Sequence, residues 1–318
     1  MRKFGVFALM IAFFYVQVGF GEENKARVRK GCSESENKVS CNTDNFFKVG
    51  RIEFGTAFGN YIGIRQGYAE LGLFGMIKIP SESYLFLEGR GFLLSNNDWV
   101  GNMGFGIRKT FCLFSPVILG ANIYYDYRSA HFTKEENCEC CFLNSFRKSF
   151  ASLGLGFEML SEYMDFRSNI YLPMKEKQSS KSYFSYSNGH FSSLQTIRYI
   201  PYGIDAEIGK RLNFCSQFYA TGAAGLYGYF YRNSKKVYGP FIRLKFGWGD
   251  YLSLQARYSY DNRFHSSLQG SLLFSLPFEQ LAHCLNACCT ICFDPMTQPV
   301  QRKYILFTEK KCCWKWSW

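Results

Sequence analysis

Apolar and polar residues alternate along this chain over many short segments, most clearly in residues 152–159 and 164–172. In the first segment, large apolar side chains share one face, while small residues and Glu158 share the other. In the second, Asp165 and Arg167 lie opposite an apolar face. A period of two places successive side chains on opposite faces of a β-strand. One charged face and one lipid-like face are typical of strands that span a membrane, so the two segments predict a transmembrane hairpin.

The same alternation begins near Phe46 and predicts twelve strands. They cover residues 46–58, 67–79, 84–94, 99–110, 117–128, 148–160, 164–173, 200–212, 217–231, 237–248, 251–261 and 267–278. The connections after even-numbered strands are short, whereas the two long ones, 129–147 and 174–199, both follow odd-numbered strands. Short periplasmic turns and long outward loops are typical of an up-and-down antiparallel transmembrane β-barrel. A secreted β-sandwich or a soluble all-β barrel is the alternative, and a sandwich has no reason to show this asymmetry.

Polar and charged residues share the second face of these strands and are predicted to point into the barrel. This inward set is Arg51, Glu53, Glu70, Glu88, Arg90, Arg108, Asn122, Asp126, Glu158, Asp165, Arg167, Asp205, Glu207, Arg243, Lys245, Arg257 and Asp261. Charges of both signs can pair across one lumen, because pairing offsets the cost of removing them from water. The set therefore predicts a small interior that is either water-filled or plugged.

Composition agrees with strands rather than helices as the spanning elements. Aromatic residues make up 19% of the chain, with 33 Phe and 22 Tyr, and many fall near predicted strand ends, as interfacial girdles do. After the N-terminus, no segment holds the roughly 18 uncharged residues that a spanning helix requires.

The N-terminus has the features of an export signal. Basic residues precede an apolar run from Phe4 to Val18, and small residues follow it before Glu22. This pattern predicts a cleavable signal peptide over residues 1–21. The predicted domains are then a periplasmic leader over 22–45, an outer-membrane barrel over 46–278, and a cysteine-rich helix, linker and Trp/Lys tail over 279–318.

Several motifs resemble the β-domain of the inverse autotransporters, the family of intimin and invasin. They are Asn122-Ile123-Tyr124-Tyr125-Asp126-Tyr127, the hairpin from Leu153 to Tyr171, and Gly203-Ile204-Asp205-Ala206-Glu207. The resemblance covers about Phe46 to Lys310 and implies a twelve-stranded barrel inserted by the barrel-assembly machinery. It also implies a linker over 299–310 that threads the lumen, preceded by a short helix over 278–291. The lumen-facing family-motif residues are Asn122, Asp126, Glu158, Asp165, Arg167, Asp205 and Glu207.

The resemblance sets the functional expectation. Intimin-like proteins carry immunoglobulin-like passenger domains after the linker, and this sequence stops at Trp318 without them. We therefore expect a bacterial outer-membrane barrel that displays surface loops and its C-terminal tail, with a role in host-cell attachment. The alternatives are a structural envelope protein cross-linked by disulfides, or a narrow porin if the lumen is open.

Thirteen cysteines in an exported chain favour disulfides over free thiols, and their odd number leaves one without a partner inside the chain. The candidate disulfide or cross-linking residues are Cys138, Cys140, Cys141, Cys284, Cys288, Cys289, Cys292, Cys312 and Cys313. Their partners are either within the chain or on other envelope proteins. The cluster 283–292 could in principle hold zinc or an iron–sulfur cluster, but its spacing matches no zinc module, so neither metal nor cofactor is predicted.

Charge and the remaining motifs narrow the set of partners. The net charge of +12 favours lipid phosphates, lipopolysaccharide or an acidic host surface, and no motif supports nucleic acid. Lysines and tryptophans alternate over 310–318, which favours a membrane interface, with a frayed chain end as the alternative. The sequence has no G-x-S-x-G elbow, and three of its four histidines fall in outward loops, so no enzyme is predicted.

Overall fold

The computed structural model confirms a closed antiparallel β-barrel of twelve strands. It describes residues 47–60, 62, 67–79, 83–112, 116–132, 146–161, 164–174, 177–187, 190–214, 218–231, 236–249, 251–277, 298–303, 305 and 309–317. The predicted signal peptide, leader and C-terminal helix lie outside the described residues. Among those described, no helix is long and apolar enough to cross a membrane, and this finding does not bear on strands that cross it.

Fifteen strands are described, and each of the twelve predicted strands corresponds to a barrel strand. Their bounds are β1 Phe47–Gly59, β2 Tyr68–Ile79, β3 Ser83–Leu94, β4 Trp99–Cys112, β5 Pro116–Phe132, β6 Phe146–Ser161, β7 Asp165–Pro173, β8 Lys177–Ser187, β9 His190–Tyr199, β10 Tyr202–Asn213, β11 Phe218–Phe230, β12 Val237–Trp248, β13 Leu252–Asp261, β14 His265–Pro277 and β15 Glu309–Ser317. The barrel order is β1-β14-β13-β12-β11-β10-β7-β6-β5-β4-β3-β2. Because β1 pairs with β14, the barrel has no free edge.

The two ends of the barrel differ in the length of their connections. The connections β2–β3, β4–β5, β6–β7, β10–β11 and β12–β13 are short, and we call this end the turn end. Gly249, with a φ of 54°, adopts the left-handed conformation that the connection after β12 requires. The opposite end carries the connections 132–146 and 173–202, and we call it the loop end.

The alternation of the sequence determines which side chains face outward and which face inward. Outward side chains are large, apolar and exposed, as Leu71 and Leu73 on β2 and Phe105 on β4 show. Inward side chains are charged and buried, as Glu88 on β3 and Arg108 on β4 show. An apolar outer band with a polar interior is what a bilayer requires, since a lysine or arginine on the lipid face costs about 2–4 kcal/mol at the midplane.

A second sheet lies at the loop end and was not predicted from the sequence. The connection 173–202 contains the hairpin β8–β9, and β15 pairs antiparallel with β9, from Glu309 opposite Tyr199 to Ser317 opposite Phe191. The hairpin is rich in serine and does not alternate between polar and apolar residues, so its sequence gave no signal for a strand. For the C-terminal tail, the structure shows a paired strand rather than a frayed end.

Candidate functional site: the lumen and its linker

The segment 298–305 passes through the inside of the barrel, and we call it the linker. At the turn end, Arg108 Nη1 donates a hydrogen bond of 2.6 Å to the Gln298 carbonyl oxygen. Midway, the Val300 N–H donates to Glu88 Oε2 at 3.3 Å. Near the loop end, Ile305 packs against a cluster on β3 and β4 that includes Leu94. The linker therefore runs from the turn end to the loop end, where β15 follows it.

Apolar contacts hold the linker at two levels. Val300 is fully buried and packs with Phe74, Met76, Tyr84, Phe86 and Tyr124. Ile305 packs nearer the loop end with Phe92, Leu94 and Val100. Burying an aliphatic side chain of this size is worth roughly 1.5–3 kcal/mol, so these two contacts favour a linker that stays in place.

Arg302 is the most closely held residue of the linker. Its guanidinium donates to Asp126 Oδ2 at 2.5 Å and lies 4.2 Å from the ring centroid of Tyr124. The Tyr171 ring lies at 5.3 Å. A Cβ atom at Gly154 would come within 2.4 Å of Arg302 Nη2, so the glycine leaves the space that the guanidinium occupies. We call Asp126, Tyr124, Tyr171 and Gly154 the Arg302 seat.

Two further polar contacts connect the Arg302 seat to the linker and to the wall. Asn102 Nδ2 donates to Asp126 Oδ1 at 2.7 Å, which fixes the carboxylate that binds Arg302. The Lys303 N–H donates to the Tyr171 hydroxyl at 2.8 Å. Hydrogen bonds to buried charged groups are the stronger kind, because little water competes for the same atoms.

The rest of the lumen is crossed by buried ion pairs. Arg90 binds Glu53 and Glu88, each at 2.5 Å, and also binds Glu70. Arg108 binds Glu158 at 2.8 Å. Around Glu207, Arg243 donates at 2.6 Å and Arg167 at 3.3 Å, and Arg128 pairs with Asp98 at 2.7 Å. Removing one partner of such a pair would leave a buried charge unpaired, so these networks fix the shape of the interior.

The structure places all seven family-motif residues inside the barrel, in different roles. Asp126 contacts the linker directly through Arg302. Glu158, Asp165, Arg167 and Glu207 belong to the ion-pair network of the wall. Asn122 is buried, and Asp205 accepts a hydrogen bond of 2.8 Å from Asn169.

The sequence-based site included Asp126 but omitted the other side chains of the Arg302 seat and its support. Asn102, Tyr124 and Tyr171 were not selected as site residues, although Tyr124 and Tyr171 lie inside the quoted motifs. Asn169 also contacts the linker, donating to the Gln301 carbonyl oxygen at 3.5 Å. The available signal was a tyrosine at an inward position of an alternating strand. Only the path of the linker shows which of these tyrosines contact the linker.

The cysteine predictions fall largely outside the described part of the chain. Cys138, Cys140, Cys141, Cys284, Cys288, Cys289 and Cys292 lie outside the described residues. The backbone of Cys312 and Cys313 is described in β15, opposite Thr196 and Gln195. Within the described residues, no group of three or more His, Cys, Asp or Glu side chains is arranged to hold a metal ion.

The comparisons with known proteins agree with this geometry. Residues 69–190 match the family model for the inverse autotransporter β-domain. This segment, 122 of the 318 residues, is similar to the inverse autotransporter β-domain. The match runs from β2 into the β8–β9 hairpin, so it includes all four residues of the Arg302 seat. A search of curated proteins found no significant match.

One solved structure supports the barrel fold, and two others are reported beside it. A membrane protein from a study of in-meso crystallization is 16% identical, with a TM-score of 0.57, over 83% of this chain and 100% of the other. The β-domain of the Bordetella autotransporter BrkA is 10% identical, with a TM-score of 0.31, over 71% of this chain and 97% of that one. The translocator domain of NalP from Neisseria meningitidis is 10% identical, with a TM-score of 0.34, over 71% and 88%.

The family and the fold establish a coarse function. The protein is a bacterial outer-membrane β-barrel with a translocator-like domain of the autotransporter kind. Its matched family consists of translocator barrels rather than enzymes.

Proposed function

We propose that this barrel displays its own C-terminal segment on the cell surface. The chain would pass through the lumen, remain there as the linker, and place β15 on the outer side of the membrane. The observation that carries this proposal is Arg302, held inside the barrel by Asp126 while β15 lies at the loop end. Short turns face the periplasm in outer-membrane barrels, so the loop end would be the outer end.

The second sheet supports the proposal, because it gives the displayed segment a fixed place. β15 pairs with β9 over nine residues, from Glu309 to Ser317. A strand that adds to a hairpin satisfies its backbone hydrogen-bonding groups along one edge. The sheet β8–β9–β15 would then be the presented surface, and we propose host-cell attachment through it and through the connection 132–146.

Export and assembly complete the proposal. We propose that residues 1–21 direct export and are removed, and that the barrel-assembly machinery inserts the barrel into the outer membrane. Lipopolysaccharide and lipid would contact its exposed apolar outer face. The envelope alternative depends on cysteines that lie largely outside the described residues, and no described contact favours it. The narrow-porin alternative requires an open lumen, and it is not proposed because the linker occupies the lumen.

Epitope labelling on intact cells tests the display. One variant carries a tag after Trp318, and a matched variant carries the same tag in the β12–β13 turn at Gly249. We expect antibody to label the first variant on intact cells and the second only after permeabilisation. Labelling of both variants only after permeabilisation would exclude display.

Attachment is tested separately, because a displayed sheet need not bind a host cell. Cells that display the full chain are compared with cells that display a variant lacking residues 177–199, the β8–β9 hairpin. Attachment predicts that host-cell binding falls to background in the variant while its barrel level stays unchanged. Equal binding by the two strains would remove the attachment role and leave display intact.

A further inference from the structure

Glycine and tyrosine alternate along one row of paired residues inside the barrel. The row crosses six neighbouring strands, β4, β5, β6, β7, β10 and β11. Its members, each directly opposite the next in the strand register, are Gly104, Tyr124, Gly154, Tyr171, Gly203 and Tyr229. All three tyrosines are buried. We call these six residues the Tyr/Gly row.

The glycines of the Tyr/Gly row make room for the tyrosine rings. A Cβ atom at Gly104 would overlap the ring of Tyr124. A Cβ atom at Gly203 would come within 2.6 Å of Tyr229 Cε1 and 3.1 Å of Tyr171 Cδ2. A glycine inside a strand often marks a place where another group approaches the backbone closely. The rings of Tyr124 and Tyr229 therefore lie over the neighbouring glycines.

The linker places two consecutive cations against this row. The Arg302 guanidinium lies 4.2 Å from the ring centroid of Tyr124 and 5.3 Å from that of Tyr171. The Lys303 ammonium lies 4.1 Å from the ring centroid of Tyr229, and the Lys303 N–H donates to the Tyr171 hydroxyl at 2.8 Å. A cation within about 6 Å of a ring centroid is attracted to the ring, most strongly where water is excluded. Arg302 is thus held by the first two tyrosines and Lys303 by the second and third.

The two positions suit different cations. At the first, Asp126 pairs with the Arg302 guanidinium at 2.5 Å, and Gly154 leaves the space that the guanidinium fills. At the second, the Lys303 ammonium lies against the face of a ring. The wall charges that act on this ammonium are two carboxylates that attract it and two guanidinium groups that repel it, namely Asp205, Asp261, Arg128 and Arg257. A guanidinium is a planar fork and an ammonium a compact charge, so the two cations are not interchangeable.

The order of the two cations identifies one register of the linker. Arg302 is the only arginine after Arg263, whereas the other adjacent cations in this part of the chain are the two lysines Lys310-Lys311. The register has a consequence outside the lumen, because β15 begins shortly after Lys303 and pairs with β9 without a register shift. A slip of one residue moves every side chain of a strand to the opposite face.

The other side of the linker has more space. Between the linker and the strands β1, β12, β13 and β14 lie two cavities, a larger one of about 90 Å³ and a smaller one of about 10 Å³. The larger cavity is lined by Arg302 and Lys303 on the linker and by Gln269 on β14, among others. At this level the linker is therefore held from one side, by the Tyr/Gly row.

We propose that the Tyr/Gly row is a binding site for an adjacent arginine–lysine pair and that it sets the register at which the linker stops in the lumen. The guanidinium binds at Tyr124 and Tyr171, and the ammonium binds at Tyr229. A linker in this register brings β15 opposite β9. This inference rests on the proposed display, because only a segment that passes through the lumen has to stop at one register.

Amide hydrogen exchange of the full chain, folded in lipid vesicles, tests the site. The variant Arg302→Lys with Lys303→Arg keeps the charge and composition but brings each cation to the wrong position. We expect the amides of residues 300–305 to exchange about tenfold faster than in the wild type, which corresponds to the loss of about one buried cation–π contact. Lys109→Arg is the matched control, because Lys109 lies over Phe111, whose ring is exposed on the outer face. It should leave the exchange unchanged.

Substitutions of Tyr229 separate the ring from its hydroxyl group. Tyr229→Phe keeps an aromatic face beside the Lys303 ammonium, so exchange in residues 300–305 should stay close to the wild-type rate. Tyr229→Leu removes that face and should accelerate exchange as much as the swapped variant does. Tyr238→Leu, on the exposed outer face of β12, is the control for loss of a tyrosine ring.

Two results would overturn the proposal: wild-type exchange in the swapped variant, or equal acceleration by Tyr229→Phe and Tyr229→Leu. Heat-modifiable gel mobility identifies the folded barrels in which exchange is measured. If the swapped variant does not fold, the two Tyr229 variants decide the proposal alone. A C-terminal tag that stays hidden on intact cells while residues 300–305 stay protected would remove the display and leave the row as a binding site for the linker.

Discussion

The two walls of the lumen differ in how many of their inward side chains form buried ion pairs. The inner face of β3 to β7, which we call the linker wall, sets buried carboxylates against buried arginines and against the linker itself, as Asp126 does with Arg302 and Glu158 does with Arg108. The inner faces of β1, β12, β13 and β14, which we call the opposite wall, present Ser253, Gln255, Gln269 and Ser271, with Lys245 and Arg257 among them. Ion pairs hold the linker against the linker wall, whereas the neutral side chains of the other wall leave space beside the linker.

The family match covers one wall of the lumen and not the other. Residues 69–190 include the whole linker wall, from β3 to β7, whereas the opposite wall of β1, β12, β13 and β14 lies outside the match. The segment shared with inverse autotransporters thus holds the linker at the Arg302 seat. The most sensitive tests compare a substitution on one wall with a similar substitution on the other wall.

Asp126→Ala should produce the largest loss of stability. It leaves the Arg302 guanidinium buried beside an empty position, and loss of one partner of a buried pair costs about 3–5 kcal/mol. The free energy of unfolding is measured by guanidinium titration of barrels folded in lipid vesicles. The double variant Asp126→Ala with Arg302→Ala should be more stable than Asp126→Ala alone. If the two variants are equally destabilised, Arg302 does not depend on Asp126.

Tyr124→Phe should have the next largest effect. The Tyr124 hydroxyl donates to Glu88 Oε2, the oxygen that also accepts the Val300 N–H. Loss of a hydrogen bond to a charged group costs about 1.5–3 kcal/mol, while the ring can still contact Arg302. The same titration measures the loss, and Tyr125→Phe, on the exposed outer face, is the control. Equal effects at positions 124 and 125 would contradict a role for the hydroxyl in the linker wall.

Asn102→Ala and Gln269→Ala form a matched pair across the lumen. Asn102 donates to the Asp126 carboxylate, so its loss should cost about 1–2 kcal/mol. Gln269 lines the larger cavity, where water can replace its amide, so its loss should stay within about 0.5 kcal/mol. Unfolding titrations of the two variants compare the walls directly. A larger loss at Gln269 than at Asn102 would reverse the comparison.

Deletion of residues 309–318 should have the smallest effect on the barrel. β15 pairs with β9 in the second sheet and with none of the described barrel strands, so the unfolding free energy should change by less than about 0.5 kcal/mol. The β8–β9 hairpin, which loses a neighbour, should instead be cut faster by protease. A large loss of barrel stability would show that the tail, rather than the linker wall, keeps the linker in place.

The sequence determined the barrel because its signal is local. Strict alternation in segments such as 152–159 and 164–172 places one face of each strand in lipid, and the lengths of the connections indicate which ends lie together. The same alternation identified inward charges such as Glu158 and Arg167. The face on which a strand residue lies follows from its position along the strand and does not depend on what lies across the lumen. The quoted motifs also identified the family, and the match over residues 69–190 confirms it.

Only the tertiary structure decided which inward residues form the Arg302 seat and which line the cavity beside the linker. Asp126 and Gln269 are both inward polar residues, yet one binds Arg302 and the other faces a cavity. The difference depends on where the linker lies, and Arg302 is 176 residues from Asp126 along the chain. For the same reason, the pairing of β15 with β9 could not be predicted from the sequence. A hydrogen-bonded edge joins backbone groups, so it leaves no pattern in either sequence alone.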